Sequence, residues 1–150
     1  MEPVPELYRT PEQVARLALI AESYARLLGR PLVAEAGDVV AGLWQAPLAI
    51  VAHGTEADPL FFFASHTALT AFGATADQFI GMPSRLSAEA PLREERQALL
   101  DRVSTQGFID DYAGIRVRLD GAQFRIEQAI VWNLIDAEGA RQGQAAAFAV

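Results

Sequence analysis

The side chains of this chain that could do chemistry are two histidines and a set of carboxylates. The 150 residues contain no cysteine and no lysine, and every basic side chain is an arginine. The lack of cysteine excludes thiol nucleophiles, zinc-thiolate sites and a cysteinyl link to a chromophore, and the lack of lysine excludes Schiff bases. Two histidines are too few for a multi-histidine metal site. We therefore expect no metal and no covalent cofactor, with a haem bound through His53 as the one open route.

His53 and Asp111 are the residues that could act as a general base. His53 ends a predicted strand in a His-Gly-Thr loop, where its ring can instead bond to the loop backbone, and we favour that structural role. His66 lies one residue inside a predicted helix, which favours a solvated ring. Asp110 precedes Asp111, but adjacent strand residues point to opposite faces of a sheet, so these two carboxylates cannot share a proton.

A long hairpin from Gly107 to Asp136 positions most of the candidate residues. Asp120-Gly121 between two alternating runs predicts a two-residue type I′ turn. In the register that this turn dictates, one face is apolar near the turn and gains polar groups further away; it carries Val117, Phe124, Ile126, Gln128 and Asp111. An amide on an apolar face must find a partner, so we expect Gln128 to contact a ligand. The opposite face carries an apolar patch of Tyr112, Ala129 and Val131.

The composition indicates one domain with a substantial core. Hydrophobic residues make up 51% of the chain. The net charge of −7 argues against nucleic-acid binding, because that binding depends on Lys and Arg. No apolar run approaches the ~20 residues of a membrane span, and the N terminus lacks the basic and apolar segments of a signal peptide. We therefore expect a cytoplasmic protein without a nucleic-acid or membrane partner.

The remaining segments predict short helices between two early strands and three later ones. Capping boxes are indicated at Thr10 with Gln13 and at Thr75 with Gln78. The predicted helices are 10–28, 38–45, 65–72, 75–80 and 91–106, and the predicted strands are 48–52, 60–64, the two hairpin strands and 141–150. This order predicts an α+β fold with an antiparallel sheet of five strands and helices gathered on one face.

Two short motifs and six longer stretches of the chain match a known pattern. Ala-x-x-x-Phe-Gly follows the second strand, and Phe-Arg-Ile-Glu follows the Asp-Gly turn; the longer stretches are 53–59, 83–89, 93–96, 107–112, 124–128 and 131–134. Through the motifs the chain resembles a PAS domain, and through the longer stretches it resembles the MEKHLA family over about Leu43 to Phe148. One departure is Ser65, which stands where such domains commonly have Asn.

The resemblance implies a fold, a domain division and a role. The expected fold is a PAS-like five-stranded antiparallel sheet with short helices on one face and an N-terminal amphipathic helix. Residues 1–45 would be an N-terminal helical extension and residues 46–150 the PAS-like MEKHLA domain. The implied role is sensory or regulatory, with no established ligand or activity.

We expect a module that is not an enzyme and that binds an unidentified small molecule, without a covalent bond, in a cavity between sheet and helices. The expected ligand contacts are Gln128, Asp111, Phe124, Ile126, Val117, Trp132 and His53. One alternative is a small cavity enzyme of the isomerase or lyase type that uses Asp111 or His53 as its base. The other is a protein-interaction domain with a filled core.

The N-terminal helix is predicted to take part in self-association. The patch of Tyr112, Ala129 and Val131 needs a cover, because large exposed apolar patches are uncommon on monomers. The helix can fold back on its own sheet or pair with the helix of a second chain, and two-fold pairing is the commonest oligomer. We predict a homodimer whose interface includes Leu17, Ile20, Tyr24, Tyr112 and Val131.

Overall fold

The computed structural model describes residues 3–33, 37–88 and 93–150, with only the side chains of Ala98 and Leu99 described within 93–100. Its helices are α1 Pro11–Leu28, α2 Val39–Trp44, α3 His66–Phe72, α4 Ala76–Phe79 and α5 Arg93–Gln106. Its strands are β1 Ala49–His53, β2 Phe61–Ala64, β3 Phe108–Val117, β4 Gln123–Ile135 and β5 Arg141–Phe148. Two short 3-10 helices cover Glu6–Tyr8 and Ser84–Ser87. The predicted helix start at Pro91 lies outside the described residues.

The five strands form one antiparallel sheet in the order β2-β1-β5-β4-β3. The last strand of the chain therefore lies at the centre, and β2 and β3 are the edges. The predicted α+β fold with a five-stranded antiparallel sheet is confirmed.

Local cap chemistry sets the helix starts. The Thr10 hydroxyl accepts a hydrogen bond from Gln13 N at 3.3 Å, but the Gln13 amide reaches across to Phe62 O at 3.2 Å. At Thr75 and Gln78 both bonds of the predicted capping box form. The Ser65 hydroxyl accepts from Ala68 N and Ile50 N and donates to Leu48 O. A serine at this position thus caps α3 and also ties it to β1.

One face of the sheet, called here the α1 face, is covered by the N-terminal helix. The Trp132 indole N–H donates to Ile20 O at 3.2 Å, and its ring lies 4.9 Å from the Tyr24 ring in a T-shaped contact. The Ser23 hydroxyl accepts from Ile135 N at 3.0 Å. The helix therefore folds back on its own sheet, which was one of the two arrangements expected for it.

The hairpin turn has a three-residue loop, and the predicted two-residue turn is wrong. Arg118 N donates to Ala122 O at 2.8 Å and Gly121 N donates to Arg118 O at 3.0 Å. Gly121 has φ of 89°, and the Asp120 carboxylate accepts from Ala122 N at 2.9 Å. A type I turn followed by a left-handed glycine is the usual geometry of a three-residue hairpin loop.

The extra loop residue shifts the strand pairing by one position near the turn. Arg116 pairs with Phe124, and Val117 pairs with Gln123. A one-residue slip moves every side chain of a strand to the other face. Arg116 consequently shares a face with Phe124, and Val117 does not.

A second irregularity lies between Ile126 and Ala129. Gln128 has a positive φ of 52°, and the pairing shifts on the partner strand beside Tyr112. The extra residue keeps Ala129 on the same face as Ile126, while alternation then places Trp132 on the α1 face. The prediction that α1 covers the patch of Tyr112, Ala129 and Val131 is therefore wrong, because Ala129 and Val131 point away from α1.

Candidate functional site

The second face of the sheet, called here the α3–α5 face, is lined by aromatic side chains at one end. The Phe72 ring of α3 lies 5.3 Å from the Phe124 ring and 6.4 Å from the Phe148 ring. The Phe61 and Phe79 rings stack at 4.3 Å. These five rings fill the space below α3 and α4 and leave the part of the face near α5 to other side chains.

The segment after α4 runs from one sheet edge to the other. Pro83 pairs with Leu60 at the β2 edge, and Ala88 pairs with Arg116 at the β3 edge. The intervening 3-10 helix Ser84–Ser87 therefore passes beside the α3–α5 face. Its buried residue is Ser87, whose hydroxyl donates to Ser84 O at 2.7 Å.

Arg116 is the charged side chain at this place. Its Nη1 donates to the Ser87 hydroxyl at 3.4 Å, a long bond. Its Nε is shut off from solvent and has no hydrogen-bond partner. None of the ion pairs found among the described residues includes Arg116. This cation is thus partly buried without a described acidic partner.

Tyr112 lies along the strand towards Arg116. A Cβ on Gly114 would come 2.7 Å from the Tyr112 hydroxyl, so a larger residue at position 114 would require this ring to shift. The Arg116 guanidinium lies 5.9 Å from the centre of the Tyr112 ring, within the range of a cation–π contact. Gly114, which carries no side chain, therefore leaves room for the Tyr112 ring beside the Arg116 guanidinium.

Burial lowers the pKa of the Arg116 guanidinium, and the neighbouring Tyr112 opposes that shift. A guanidinium nevertheless stays protonated in proteins. The α3–α5 face therefore holds a fixed positive charge among apolar side chains. Such a charge is suited to bind an anion and has no means of acting as a base.

The predicted ligand residues are not brought together. Phe124 is half-buried and Ile126 buried on the α3–α5 face as expected. Trp132 lies on the α1 face, Val117 faces away from Phe124, and Gln128 is exposed in the bulge. The expected ligand contact of Gln128 is therefore wrong, because a solvated amide needs no buried partner.

The two predicted bases are engaged elsewhere. The Asp111 carboxylate is exposed and forms an ion pair with Arg102 at 2.7 Å. His53 Nδ1 lies 3.0 Å from Gly54 O, the loop-backbone contact that the structural interpretation expected. Burial is the main cause that lowers the pKa of His53, so its ring is held in the neutral form.

The predicted dimer residues are placed inside the single chain. Leu17 and Ile20 are 0% exposed and Tyr24 is 4% exposed. Val131 is buried and Tyr112 half-buried on the α3–α5 face. The predicted dimer contacts of Leu17, Ile20 and Tyr24 are therefore wrong, because α1 uses these side chains to cover its own sheet.

Two open grooves lie elsewhere on the described surface. One of about 320 Å³ lies between α1 and β2, where the Arg16 guanidinium stacks 3.9 Å over the Phe62 ring. The other, of about 480 Å³, lies beside α3 and includes His66. Neither is lined by a predicted ligand residue. Among the described residues no cluster of three metal-ligating side chains occurs, and none of the described helices is long and apolar enough to cross a bilayer.

The strand order, the short helices and the covered sheet define a PAS-like domain, and known structures share this fold. A Light-Oxygen-Voltage domain studied with a flavin analogue is 20% identical, with 73% of this chain and 82% of that chain covered and a TM-score of 0.58. A PAS domain from Colwellia psychrerythraea is 17% identical, with 71% and 87% covered and a TM-score of 0.61. The light-state dimer of the fungal blue-light photoreceptor Vivid is 12% identical, with 87% and 93% covered and a TM-score of 0.59.

Within this class the chain belongs to the MEKHLA domain family, whose model matches residues 14–150. The match begins inside α1, so the family's domain includes most of the helix that was expected to be a separate extension. The search of curated proteins gave no match.

Arg116 is the site residue that the sequence alone did not single out. A two-residue turn at Asp-Gly pairs Val117 with Phe124, and alternation then places Arg116 on the opposite face. Asp-Gly also suits a three-residue loop. The register of a three-residue loop places Arg116 beside Phe124.

Proposed function

We propose that this chain is a sensory or regulatory module that binds a small molecule on the α3–α5 face. The observation that carries the proposal is Arg116, a cation whose Nε has no partner, beside the apolar Phe124 and Ile126. Buried polar groups without partners are rare in folded proteins and are candidates for ligand contacts. Membership of a PAS-like family supports a sensory role.

The proposed module binds its ligand and does not convert it chemically. His53 bonds to the loop backbone and Asp111 pairs with Arg102, so both candidate bases are used structurally. Arg116 cannot exchange a proton at neutral pH. Assays for isomerase or lyase activity should therefore give no rate above background, and a measurable rate lost in Asp111→Asn or His53→Gln would support the enzyme alternative.

Native mass spectrometry and an absorbance scan of the purified protein test the binding function. A compound retained in a near 1:1 ratio is the expected result, and visible absorbance would reveal a flavin, the class of compound used with one of the structural neighbours. Elemental analysis should find no iron or zinc at one equivalent. Protein with no bound compound, and no stabilisation by any added compound, would instead favour an interaction domain.

The filled-core alternative has a specific observation in its favour. Phe61, Phe72, Phe79, Phe124 and Phe148 occupy one end of the α3–α5 face by themselves. A hydrogen–deuterium exchange map of the purified chain distinguishes the two functions, because a bound compound must protect α5 and β3 more strongly than the aromatic end.

Self-association stays part of the proposal, now through a surface other than the buried side of α1. Ile115 and Val117 are half-buried on the hairpin, and Leu119 is 40% exposed. Vivid, a structural neighbour, forms a light-state dimer. Light scattering on the full chain and on Val117→Arg tests the idea; a full chain that is monomeric at high micromolar concentration would contradict it.

A further inference from the structure

Arg116 differs from the other described arginines because its Nε is shut off from solvent without a hydrogen-bond partner. Five described arginines lie within 3.5 Å of a carboxylate oxygen: Arg9, Arg85, Arg102, Arg118 and Arg125. Arg26 donates to Ile135 O at 2.6 Å. Within the described part of the chain, Arg116 has only a long bond to a hydroxyl and a tyrosine ring whose centre lies 5.9 Å away. An anion in contact with this guanidinium would supply the missing partner.

The unsatisfied atom indicates how that anion would bind. A guanidinium offers its donors as a fork, and a carboxylate matches two parallel N–H groups of such a fork. With Nη1 turned to Ser87, the free Nε and the other Nη present one edge of the fork. The Tyr112 hydroxyl, held over Gly114, is a further donor on the same face.

The side chains around this edge of the guanidinium indicate the chemical character of the rest of the ligand. Phe124 pairs with Arg116 across the hairpin, and Ile126 pairs with Gly114. Both are apolar, and Ile126 is 2% exposed. A ligand that reaches Arg116 would therefore rest an apolar body on these side chains. The neighbouring Arg118 is already bonded to Ala71 O at 2.7 Å and paired with Asp120, which leaves one free cation among the described residues there for a singly charged head group.

We propose that the ligand of the α3–α5 face is a small monocarboxylic acid with an apolar body, whose carboxylate binds the Nε edge of Arg116. Tyr112 donates a further hydrogen bond, and the body packs on Phe124 and Ile126. This inference rests on the proposed binding function and names its ligand class.

Matched acids and amides test the charge requirement. The probes are acetate, phenylacetate and octanoate, each beside its neutral amide, added to the full chain in thermal-shift and calorimetric titrations. At least one acid with an apolar body should bind, and its amide should bind about ten- to hundredfold more weakly, the worth of a charged hydrogen bond. Equal binding of an acid and its amide would overturn the inference.

Two arginine variants test the position. Arg116→Met should weaken binding of the acid to the level of the amide. Arg125→Met, which removes an exposed arginine next to Phe124 on β4 that is paired with Glu127, should leave the affinity unchanged. Circular dichroism of both variants checks that the fold is retained. Undiminished acid binding in a folded Arg116→Met protein would contradict the assignment.

The outcomes separate this inference from the function on which it rests. If the protein retains a neutral compound that also binds Arg116→Met, the proposed binding function stands and the assignment of a carboxylate ligand is contradicted. Protein that retains no compound and is stabilised by none of the six probes overturns both.

Discussion

The two faces of the sheet treat their polar groups differently. On the α1 face the Trp132 indole N–H donates to Ile20 O, and the Ile135 backbone N–H donates to the Ser23 hydroxyl. The buried Tyr8 hydroxyl likewise donates to Ala64 O and accepts from Ala64 N. On the α3–α5 face Arg116 keeps a buried Nε without a partner.

This difference separates a structural face from a candidate binding face. A fully bonded face is stable as it stands, since adding a ligand would break existing bonds. A face with an unsatisfied donor can gain free energy when a ligand supplies the acceptor. The same sheet thus offers one side for the attachment of α1 and the other for recognition.

The largest expected loss of stability comes from a substitution on the α1 face. Trp132 is 0% exposed, and its indole bonds to Ile20 O. Trp132→Ala should lower the free energy of unfolding by about 3–5 kcal/mol, because it leaves a large cavity. Thermal unfolding measures the change, with Trp132→Phe as the control that keeps a ring but loses the N–H. A loss for Trp132→Ala no larger than that for Trp132→Phe would mean that packing on α1 contributes little.

A pair of variants compares the two faces directly. Ser23→Ala should lower the free energy of unfolding by about 1–3 kcal/mol, because Ile135 N is left without its acceptor. Arg116→Met should raise the melting temperature of the ligand-free protein, because it removes a buried charge that lacks a partner. A fall in melting temperature for Arg116→Met equal to that for Ser23→Ala would mean that the arginine is structurally satisfied.

The hairpin turn decides which residues reach each face, so it is the next point to test. Gly121 has φ of 89° and no atom within 4 Å of a built Cβ, so backbone conformation alone penalises a side chain there. Gly121→Val should cost about 1–2 kcal/mol in unfolding free energy. Ala122→Val, one residue along and exposed, is the control. Equal melting temperatures for the two variants would contradict the turn.

Local signals in the sequence predicted the elements of the fold well. Thr75 and Gln78 form the capping box that their spacing indicates, and Gly107 ends α5 with φ of 81°. These features depend on residues within one turn of each other, so a short stretch of sequence contains all of the information. Fold class followed from the order of such elements.

The candidate site was harder to predict because it depends on counting residues across a hairpin. Asp-Gly is compatible with two loop lengths, and choosing the shorter one moved Val117 onto the ligand face and Arg116 off it. The bulge at Gln128 then reversed the parity again beyond Ile126. A non-glycine residue with positive φ is not signalled by its type, so tertiary packing rather than local propensity fixes this position.

The smallest expected effect concerns His53, a titratable side chain that, unlike Arg116, has a backbone partner. Burial, reinforced by the charge of Arg141, lowers the pKa of His53 in the folded chain, against opposing bonds from Gly54 and Gln144. The unfolded chain therefore binds the proton more readily, and the free energy of unfolding is highest above the ordinary pKa of about 6.5. It should fall as the pH drops through the lower pKa of the folded state. Three aspartates with lowered pKa values, Asp38, Asp120 and Asp136, act only in a more acidic window, below the ordinary value of 3.8.

Melting temperatures between about pH 8 and pH 5 measure the contribution of His53 to stability, because a histidine titrates in this range. The chain should lose stability over that interval, and His53→Gln should lose less of it. His66→Gln, at the exposed first residue of α3, is the matched histidine-to-glutamine control. If His53→Gln and the unmodified chain gave parallel curves, the imidazole would be as accessible to protons in the folded chain as in the unfolded one, and the buried contact with Gly54 would be wrong.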